Sequence, residues 1–384
     1  MEKGLKVLMI SSDRKILEEG SAVSERMKEY GALVEELHIV LLSDARHGLK
    51  DKQLPNNVWV YTTNSSINFL RPIDACRLGK RIVFNSKFVR GKSVITVQDP
   101  FECGWVGMRI KKKWRIPLEV QLHTDPFSPY FSGFSNSIRK TIARKVLRNA
   151  DSVRAVTENL KSRVSSLTEA RIKVLPIYVD RKGIEQAGAS FDLHTHYPWH
   201  PWRFIMLSVS RLAPEKNLEL ALAVLALVRK RFPDTGLVIV GSGPEEKVLK
   251  LKVKSLKLEG AVEFVGWQDG LSSFYKTADA FIQTSLFEGY GLSLVEAGLS
   301  GLPVVTTSVG IALELEHNRD AYIYPPSYPE LLAQGITDLI ENSQKRENLR
   351  TNLKHTLEHK LLSKADYMAK IKENWEKTAV MINR

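Results

Sequence analysis

The chain has 384 residues, of which 43% are hydrophobic and 26% charged, so it is long enough for two domains and has the composition of a globular protein. It has no apolar stretch of about 18 residues, which excludes a membrane-spanning helix, and its two cysteines exclude a disulfide framework and a cysteine zinc site. The net charge is +13, and residues 1–200 hold 33 Lys and Arg against 21 Asp and Glu, which predicts an anionic partner for the first half: a lipid surface, a polyprenyl phosphate or nucleic acid.

The first half of the chain alternates short apolar runs with helical patterns, which favours a parallel, doubly wound sheet. The first apolar run is short and is followed by SSDRK, so we expect a buried strand there and not a signal peptide. Cys76 and Cys103 are expected to be buried thiols of a cytoplasmic protein. The predicted strands span residues 6–10, 34–42, 58–62, 93–97, 118–122, 152–155 and 173–176, and the predicted helices span 22–30, 71–88, 137–148 and 158–167.

A segment rich in His, Pro and Trp interrupts this pattern, and we interpret residues 184–203 as a linker. A second doubly wound unit follows, with its ligand crevice at the carboxyl ends of its strands. The last helix carries Tyr367, Ile371 and Trp375 at a spacing of four and is expected to pack back on the first unit. The predicted strands of the second unit span residues 204–209, 236–240, 262–264, 280–283 and 304–306, and the predicted helices span 218–231, 245–256, 271–276 and 328–342.

A glycine-broken loop with two glutamates is the most informative segment, TSLFEGYGLSLVEAGLSGLPVVTT at residues 284–307. Glu288 lies on the loop, and Glu296 lies eight residues later in a predicted helix. Gly289 and Gly291 permit a tight turn that brings backbone amides close to a ligand, and the start of the helix favours a phosphate. The spacing suits one carboxylate for each hydroxyl cluster of a sugar nucleotide and does not suit a pair flanking a glycosidic bond.

This segment resembles the E-x7-E motif of the retaining glycosyltransferases of family 4, which have the GT-B fold. The resemblance continues in LSVSRLAPEKNLELALAVLALV, LVIVGSGPEEKVLKLKV and VEFVGWQDGLSSFYKTADAFIQTS, and in outline in the first half, at His123 in EVQLHTDPFS and at VLPIYVD near Asp180. It implies an α/β fold of two doubly wound Rossmann-like domains facing across a cleft. The acceptor-side domain would comprise residues 1–183 with a returning helix at 365–384, and the nucleotide-sugar-binding domain residues 204–364.

The resemblance implies that Arg211 and Lys216 bind the diphosphate of the donor. They lie on a loop between a predicted strand and a predicted helix, where a planar guanidinium and a point charge could neutralise the departing group. A solvated surface charge is the alternative for any single Lys or Arg, but the strand end, Pro214 and the helix start argue against it here.

The two glutamates are expected to bind the rest of the donor. The resemblance implies that Glu296 accepts hydrogen bonds from the ribose and that Glu288 holds the transferred sugar. Either could instead be structural, Glu296 as a partner of the helix dipole and Glu288 as a turn residue. The remaining donor-binding residues implied are Gly289, the backbone amides of Tyr290, Gly291 and Leu292, Gly241 in a tight strand-to-helix turn, and the backbone at Val265 and Gly266 near the base.

Three residues of the first domain are further candidates. His123 ends an apolar run, so it should point into the crevice and could hydrogen-bond the sugar, although an ordinary core or surface histidine is a strong alternative. Gly20 in the first loop is expected to approach the donor phosphate. Asp99 in VQDPFE could line the acceptor side or cap the helix after Pro100.

No D-x-D pair is present to hold a metal ion with the diphosphate. His194 and His196 lack a matching cluster and are interpreted as surface residues. We therefore expect no cofactor and no metal, with a nucleotide-diphosphate sugar as the donor substrate. The family resemblance implies that the leaving phosphate assists the incoming hydroxyl on the same face of the sugar.

Two basic segments, residues 107–117 and 138–148, could contact an anionic membrane. A plain surface helix packed on the sheet is an equally good interpretation. Nucleic acid is a weaker one, because the cations lack interleaved stacking aromatics.

The sequence therefore predicts a retaining glycosyltransferase that moves a hexose-type sugar from a nucleotide diphosphate to an acceptor, such as a lipid-linked saccharide at the inner face of a membrane. The alternatives are an epimerase or hydrolase of nucleotide sugars, and a non-catalytic nucleotide-sugar-binding or membrane-associated partner subunit.

Overall fold

The chain forms two α/β units. A computed structural model describes residues 4–129, 131, 133–197 and 202–381. The first unit comprises Met1–Pro176 and Ser363–Arg384, and the second comprises Ile177–Leu362.

The first unit contains an eight-stranded sheet. Its strands are β1 (Lys6–Ser11), β2 (Glu36–Leu41), β3 (Lys52–Leu54), β4 (Val58–Thr62), β5 (Ser93–Val97), β6 (Leu118–Leu122), β7 (Ser152–Ala155) and β8 (Arg171–Val174). They lie in the order β3-β4-β2-β1-β5-β6-β7-β8, and β3 is antiparallel to β4 while the other pairings are parallel. The chain proceeds in opposite directions across the sheet from β1, so the crevice of this unit lies at the carboxyl ends of β1 and β5.

Among the residues that the structure describes, five α-helices connect these strands. They are α1 (Ala22–Gly31), α2 (Arg71–Asn85), α3 (Glu102–Trp114), α4 (Phe134–Arg148) and α5 (Glu158–Val164). The hydroxyls of Ser21 and Thr157 accept hydrogen bonds from backbone amides in the first turns of α1 and α5, which fixes where these helices begin. Helix α3 packs against both α2 and α4.

The second unit contains a six-stranded parallel sheet. Its helices are α6 (Arg181–Gln186), α7 (Leu193–His196), α8 (Leu218–Arg229), α9 (Glu246–Ser255), α10 (Ser272–Thr277), α11 (Leu292–Leu299), α12 (Pro329–Glu341) and α13 (Ser343–Lys360), and its strands are β9 (Phe204–Val209), β10 (Thr235–Val240), β11 (Val262–Gly266), β12 (Ala280–Gln283), β13 (Val304–Thr307) and β14 (Tyr322–Tyr324). The order β11-β10-β9-β12-β13-β14 places the reversal of strand order between β9 and β12, where doubly wound folds bind their ligands.

The last helix, α14 (Lys364–Ala379), belongs to the first unit and packs on β5 and β6. Its Trp375 is 1% exposed and stacks edge-on against Tyr30 at 5.4 Å. The buried carboxylate of Glu119 on β6 accepts hydrogen bonds from Trp375 Nε1 and Asn374 Nδ2. A buried carboxylate is stable only with such partners, so the helix and the sheet depend on each other.

The α/β fold predicted from the sequence is confirmed, and most predicted strands and helices match the observed ones. The structure adds elements to which the sequence analysis assigned no helix or strand, among them α3, which contains two glycines. A Cβ on Gly107 would lie 2.6 Å from Val97 Cγ1, and one on Gly104 would lie 2.8 Å from Val146 Cγ1. The two glycines therefore let α3 pack closely on its neighbours, and this benefit outweighs their low helix propensity.

The described residues of the segment interpreted above as a linker, 184–197, 202 and 203, lie in the second unit. The part that the structure describes includes α7, which packs on α10, and the amides of Ser190 and Leu193 donate to the hydroxyls of Ser273 and Thr277 at 2.8 and 3.1 Å. This packing could not be inferred from composition.

Cys76 and Cys103 are buried free thiols. Within the described residues, every helix is too short or too polar to span a bilayer.

Candidate active site

The loop after β9 carries two of the predicted site residues, Arg211 and Lys216. It ends in a single turn of 3-10 helix, Pro214–Lys216, and the following Asn217 adopts a left-handed φ of 48° before α8 begins. Proline at the start of the turn and asparagine in the left-handed position are residue types that favour these conformations. The loop therefore holds both cations at the carboxyl end of β9.

Lys216 is paired with Glu288, which follows β12. Lys216 Nζ lies 2.7 Å from Glu288 Oε1, and Ser285 Oγ donates to the same oxygen at 2.7 Å. The side chains are only 20% and 11% exposed, so the pair is partly withdrawn from water. The Leu286 amide also donates to the carbonyl of Glu215 at 2.9 Å, which joins the two loops. The structure thus brings together two predicted residues that are 72 positions apart.

Arg211 is more exposed than Lys216, and 68% of its side chain is accessible. Its guanidinium bonds Glu215 on the same loop. Arg211 and Lys216 therefore lie on one loop but bind different carboxylates, and Arg211 remains reachable by an anion from solvent.

Glu296 lies in α11 and accepts a hydrogen bond from the Tyr275 hydroxyl at 3.0 Å. Burial raises the pKa of Glu296, while the bond from Tyr275 opposes that rise. Burial and the neighbouring Glu296 both raise the pKa of Tyr275, so the phenol stays protonated and serves as donor. One carboxylate oxygen is thus fixed by Tyr275.

The glycine loop between Glu288 and α11 contains a left-handed residue, Gly291, with φ 97°. Among the described residues, none accepts a hydrogen bond from the amides of Gly291 and Leu292, so these amides can donate to a bound group. The ring of Tyr290 is buried, and its carbonyl already accepts a hydrogen bond from the amide of Ile311 at 2.6 Å. Only the backbone amide of Tyr290 is therefore a candidate for binding a ligand. Gly289 lies beside Glu288 and is half-buried.

The turn after β10 also requires glycine. Gly241 has a φ of 130°, and a Cβ there would lie 1.9 Å from the carbonyl oxygen of Ser210. The amide of Gly241 donates to the carbonyl of Gly266 at 2.8 Å. The predicted tight strand-to-helix turn is present, and the close approach that it permits is to the loop carrying Arg211.

The backbone predicted to lie near the base ends β11. Gln268 Nε2 donates to the carbonyl of Val265 at 2.9 Å, and Gly266 is left-handed with φ 71°. These contacts fix the path of the chain at the edge of the sheet.

His123 in the first unit belongs to a buried polar network. Its Nε2 lies 3.1 Å from Gln121 Oε1, which also accepts a hydrogen bond from Arg154, while Gln121 Nε2 donates to Thr96 Oγ1 at 2.8 Å. Because that oxygen can only accept, His123 Nε2 carries a proton and Nδ1 is the acceptor. Burial and the nearby Arg154 and Arg26 lower the pKa of His123 to about 3, so the ring is neutral at physiological pH.

Asp99 acts as the helix cap that was one of the two roles considered for it. Its Oδ1 accepts from the amides of Phe101 and Cys103 at 2.8 and 3.3 Å, so it caps α3, and its side chain also lines a pocket at the carboxyl end of β5. Burial raises the pKa of this carboxyl. Gly20 precedes α1 with a left-handed φ of 76°, and a Cβ there would have no neighbour within 4 Å.

Two site residues were missed by the sequence analysis, Ser285 and Tyr275. Both are polar residues in segments that resemble the family, but each acquires its role only through a carboxylate that folding brings to it. The residue type alone gave no signal for either.

Several of the basic residues in the two basic segments form ion pairs with acidic side chains of the first unit. Lys111 lies 2.7 Å from Asp151, and Arg139 binds both oxygens of Glu102. The exposed cations of the two basic segments include Arg109, Lys112, Lys113, Arg115, Arg144, Lys145 and Arg148. Among the described residues there is no group of three His, Cys, Asp or Glu side chains arranged to hold a metal ion.

Two family profiles match the chain. The profile of the Glycosyl transferases group 1 matches residues 196–356, and that of the Glycosyltransferase Family 4 matches residues 38–182. A glycosyltransferase of Haemophilus influenzae is 31% identical over 44% of this chain and 47% of its own length. An alpha-monoglucosyldiacylglycerol synthase of Streptococcus pneumoniae is 27% identical over 55% of this chain and 51% of its own length. The chain thus spans about half the length of these curated relatives.

Solved structures share the fold. HepE of Anabaena in complex with UDP superposes with a TM-score of 0.76 at 22% identity, covering 97% of this chain and 100% of that one. Sucrose-phosphate synthase of Thermosynechococcus elongatus gives a TM-score of 0.80 at 16% identity, covering 97% and 98%. At these identities the likeness concerns the fold alone.

Proposed function

The chain belongs to the group 1 glycosyltransferases of family 4, with the GT-B fold, and on that premise we propose that it transfers a hexose-type sugar from a nucleotide diphosphate to an acceptor with retention of configuration. The observation that carries the proposal is the Lys216–Glu288 pair at the carboxyl ends of β9 and β12. This is the position where a doubly wound sheet binds its ligand, and the pair supplies a cation for a diphosphate beside a carboxylate for sugar hydroxyls.

In this proposal the second unit stabilises the departing diphosphate. Negative charge develops on the diphosphate as its bond to the sugar carbon breaks. Lys216 and Arg211 provide positive charge, and the amides of Gly291 and Leu292 provide donors. Such fixed groups act at no cost of reorganisation during the reaction.

The donor in this proposal is a uridine nucleotide. The support comes from relatives: HepE was solved with UDP, and a 28% identical relative from Streptococcus agalactiae is named for UDP-N-acetylglucosamine. Glu296 would accept hydrogen bonds from the ribose hydroxyls through the carboxylate oxygen that does not bind Tyr275.

Retention in this proposal needs no protein nucleophile. The bond from the sugar to the diphosphate breaks, the acceptor oxygen bonds to the same face of the sugar carbon, and the acceptor proton passes to the leaving phosphate. In the first unit, neutral His123 would offer Nδ1 as a hydrogen-bond acceptor to a hydroxyl group, and Asp99 and Gly20 would line that unit's own crevice.

We also propose that transfer needs no metal ion, because Arg211 and Lys216 can neutralise the diphosphate. Excess EDTA should then leave kcat/KM for the donor unchanged, as measured by release of the nucleoside diphosphate. A large loss of activity that Mg²⁺ or Mn²⁺ restores would contradict this.

The experiment that tests the proposed function is a thermal-shift comparison of UDP, GDP and ADP with their sugar conjugates. A ligand at about a hundredfold its Kd adds roughly 2.7 kcal/mol to the free energy of unfolding. The proposal predicts a selective rise in Tm with the uridine series, which Glu296→Ala should reduce. An equal response to all three nucleotides, or none, would count against a nucleotide-sugar site.

A further inference from the structure

An apolar groove crosses the first unit over α3, between α2 and α4. Its volume is about 500 Å³, within the usual range for small-molecule sites. Trp105 lies in the groove, with Ile73 and Ile142 on the flanking helices, and three residues at the rim expose large apolar side chains. Phe134 is 84% exposed, Phe69 is 79% exposed and Ile138 is 49% exposed. Exposure on this scale in one place is unusual for a surface that faces water alone.

The groove is continuous with the crevice of the first unit. A second pocket of about 690 Å³ shares Phe69, Pro72 and Ser135 with the groove and extends to Ser12 and Asp99. These last two residues follow β1 and β5, where the strand order reverses. A molecule with a polar head in the crevice could therefore extend an apolar tail along the groove.

The charge around the groove is complementary to an anionic surface. Arg109 and Lys112 follow Trp105 on α3 by four and seven residues, Arg77 follows Ile73 on α2 by four, and Lys145 follows Ile142 on α4 by three. Residues at these spacings lie on the same face of a helix. On each of the three helices, the face that carries the apolar groove residue therefore also carries a basic residue further along. Arg109 also lies over the Trp105 ring at 5.3 Å. Glu102, the acidic residue in the groove, is already neutralised by Arg139.

We propose that this groove binds one hydrocarbon chain of a lipid acceptor taken from an anionic bilayer, with the acceptor's hydroxyl-bearing head in the pocket at Ser12 and Asp99. The inference rests on the proposed function for the reaction and adds the class of acceptor and the place that holds its chain. The cations on α2, α3 and α4 contact lipid phosphates while Phe134, Phe69 and Ile138 enter the apolar layer.

The proposal can be tested on the full chain with vesicles of phosphatidylglycerol whose acyl chains carry bromine, since bromine quenches tryptophan fluorescence at short range. Quenching should be strong in the wild type, and it should fall by more than half in Trp105→Phe. The double variant Phe134→Asp/Ile138→Asp should partition into the vesicles about tenfold less or weaker still. Phosphatidylcholine vesicles should bind less than phosphatidylglycerol vesicles.

The matched control is Val248→Asp/Leu251→Asp, which makes the same changes at two exposed apolar residues of α9 and should leave partitioning and quenching unchanged. Equal quenching in the wild type and Phe134→Asp/Ile138→Asp would overturn the proposal. A second result would also overturn it. If light scattering showed that the wild type is a dimer, that Phe134→Asp/Ile138→Asp dissociates this dimer, and that vesicle binding is unchanged, the groove would hold a second copy of the chain.

A separate readout distinguishes this proposal from the proposed function. Phe134→Asp/Ile138→Asp should keep the Tm shift caused by UDP and lose transfer to dioleoylglycerol carried in phosphatidylglycerol vesicles. If the wild type binds UDP but the variant transfers to this lipid normally, the groove is wrong and the function stands. If the wild type shows no UDP shift but Trp105 is quenched as expected, the groove stands as a lipid site and the proposed function fails.

Discussion

Replacing Lys216 by Ala is expected to lower kcat/KM by about 10²–10³-fold, the usual cost of removing one group that stabilises developing charge. The same change leaves the partly buried Glu288 beside Ser285 without its cation, which adds a stability cost of about 1–3 kcal/mol. The loss of activity should exceed what the loss of stability explains. Initial rates of UDP release, measured at a temperature where circular dichroism shows a folded variant, provide the test.

The matched control for this prediction is Lys230→Ala, which removes an exposed lysine directly after α8, at the end of the helix away from Lys216. It should leave kcat/KM within about twofold of the wild type, as expected for an ordinary surface position. Near-normal turnover by Lys216→Ala would show that the Lys216–Glu288 pair is structural and would remove the main support for the site.

Replacing Glu296 by Ala should raise KM for the donor and lower kcat/KM by about 10²-fold, because two hydrogen bonds from the ribose to a charged acceptor are lost. Tyr275→Phe should have a smaller effect of the same kind, since it removes only the bond that fixes the carboxylate. Kinetics at varied donor concentration separate these effects from a change in kcat.

The pH dependence gives a second test of Glu296. Burial raises its pKa above the usual range, so the carboxylate takes up its proton at a higher pH than an ordinary glutamate as the pH falls. Donor affinity should therefore weaken towards low pH in the wild type, and Glu296→Gln should remove this dependence. A profile that is the same in both proteins would show that Glu296 does not bind the donor as a carboxylate.

The sequence predicted the fold well because most of the central strands are buried, short and bounded by turns. β9, β12 and α11 were located from their apolar patterns, and the E-x7-E segment indicated the loop that carries Glu288. These features depend on local residue order, which a single sequence displays directly.

The contacts of the site could not be predicted in the same way. The bond between Lys216 and Glu288 depends on the adjacency of β9 and β12, and the roles of Ser285 and Tyr275 depend on which carboxylate reaches them. Helix α3 was not assigned from the sequence. Gly104 and Gly107 lower its helix propensity, whereas close packing on Val97 and Val146 favours it. The apolar groove could not be predicted without that helix.

Nuclear magnetic resonance of the products formed from UDP-glucose and dioleoylglycerol in phosphatidylglycerol vesicles tests whether this protein transfers a sugar with retention. We expect UDP together with a glucosyl lipid whose anomeric signal has the configuration of the donor. Free glucose as the only product would indicate a hydrolase, and an inverted glycoside would contradict retention. Unchanged UDP-glucose in the presence of both a bound donor and a bound lipid would contradict catalysis by this site.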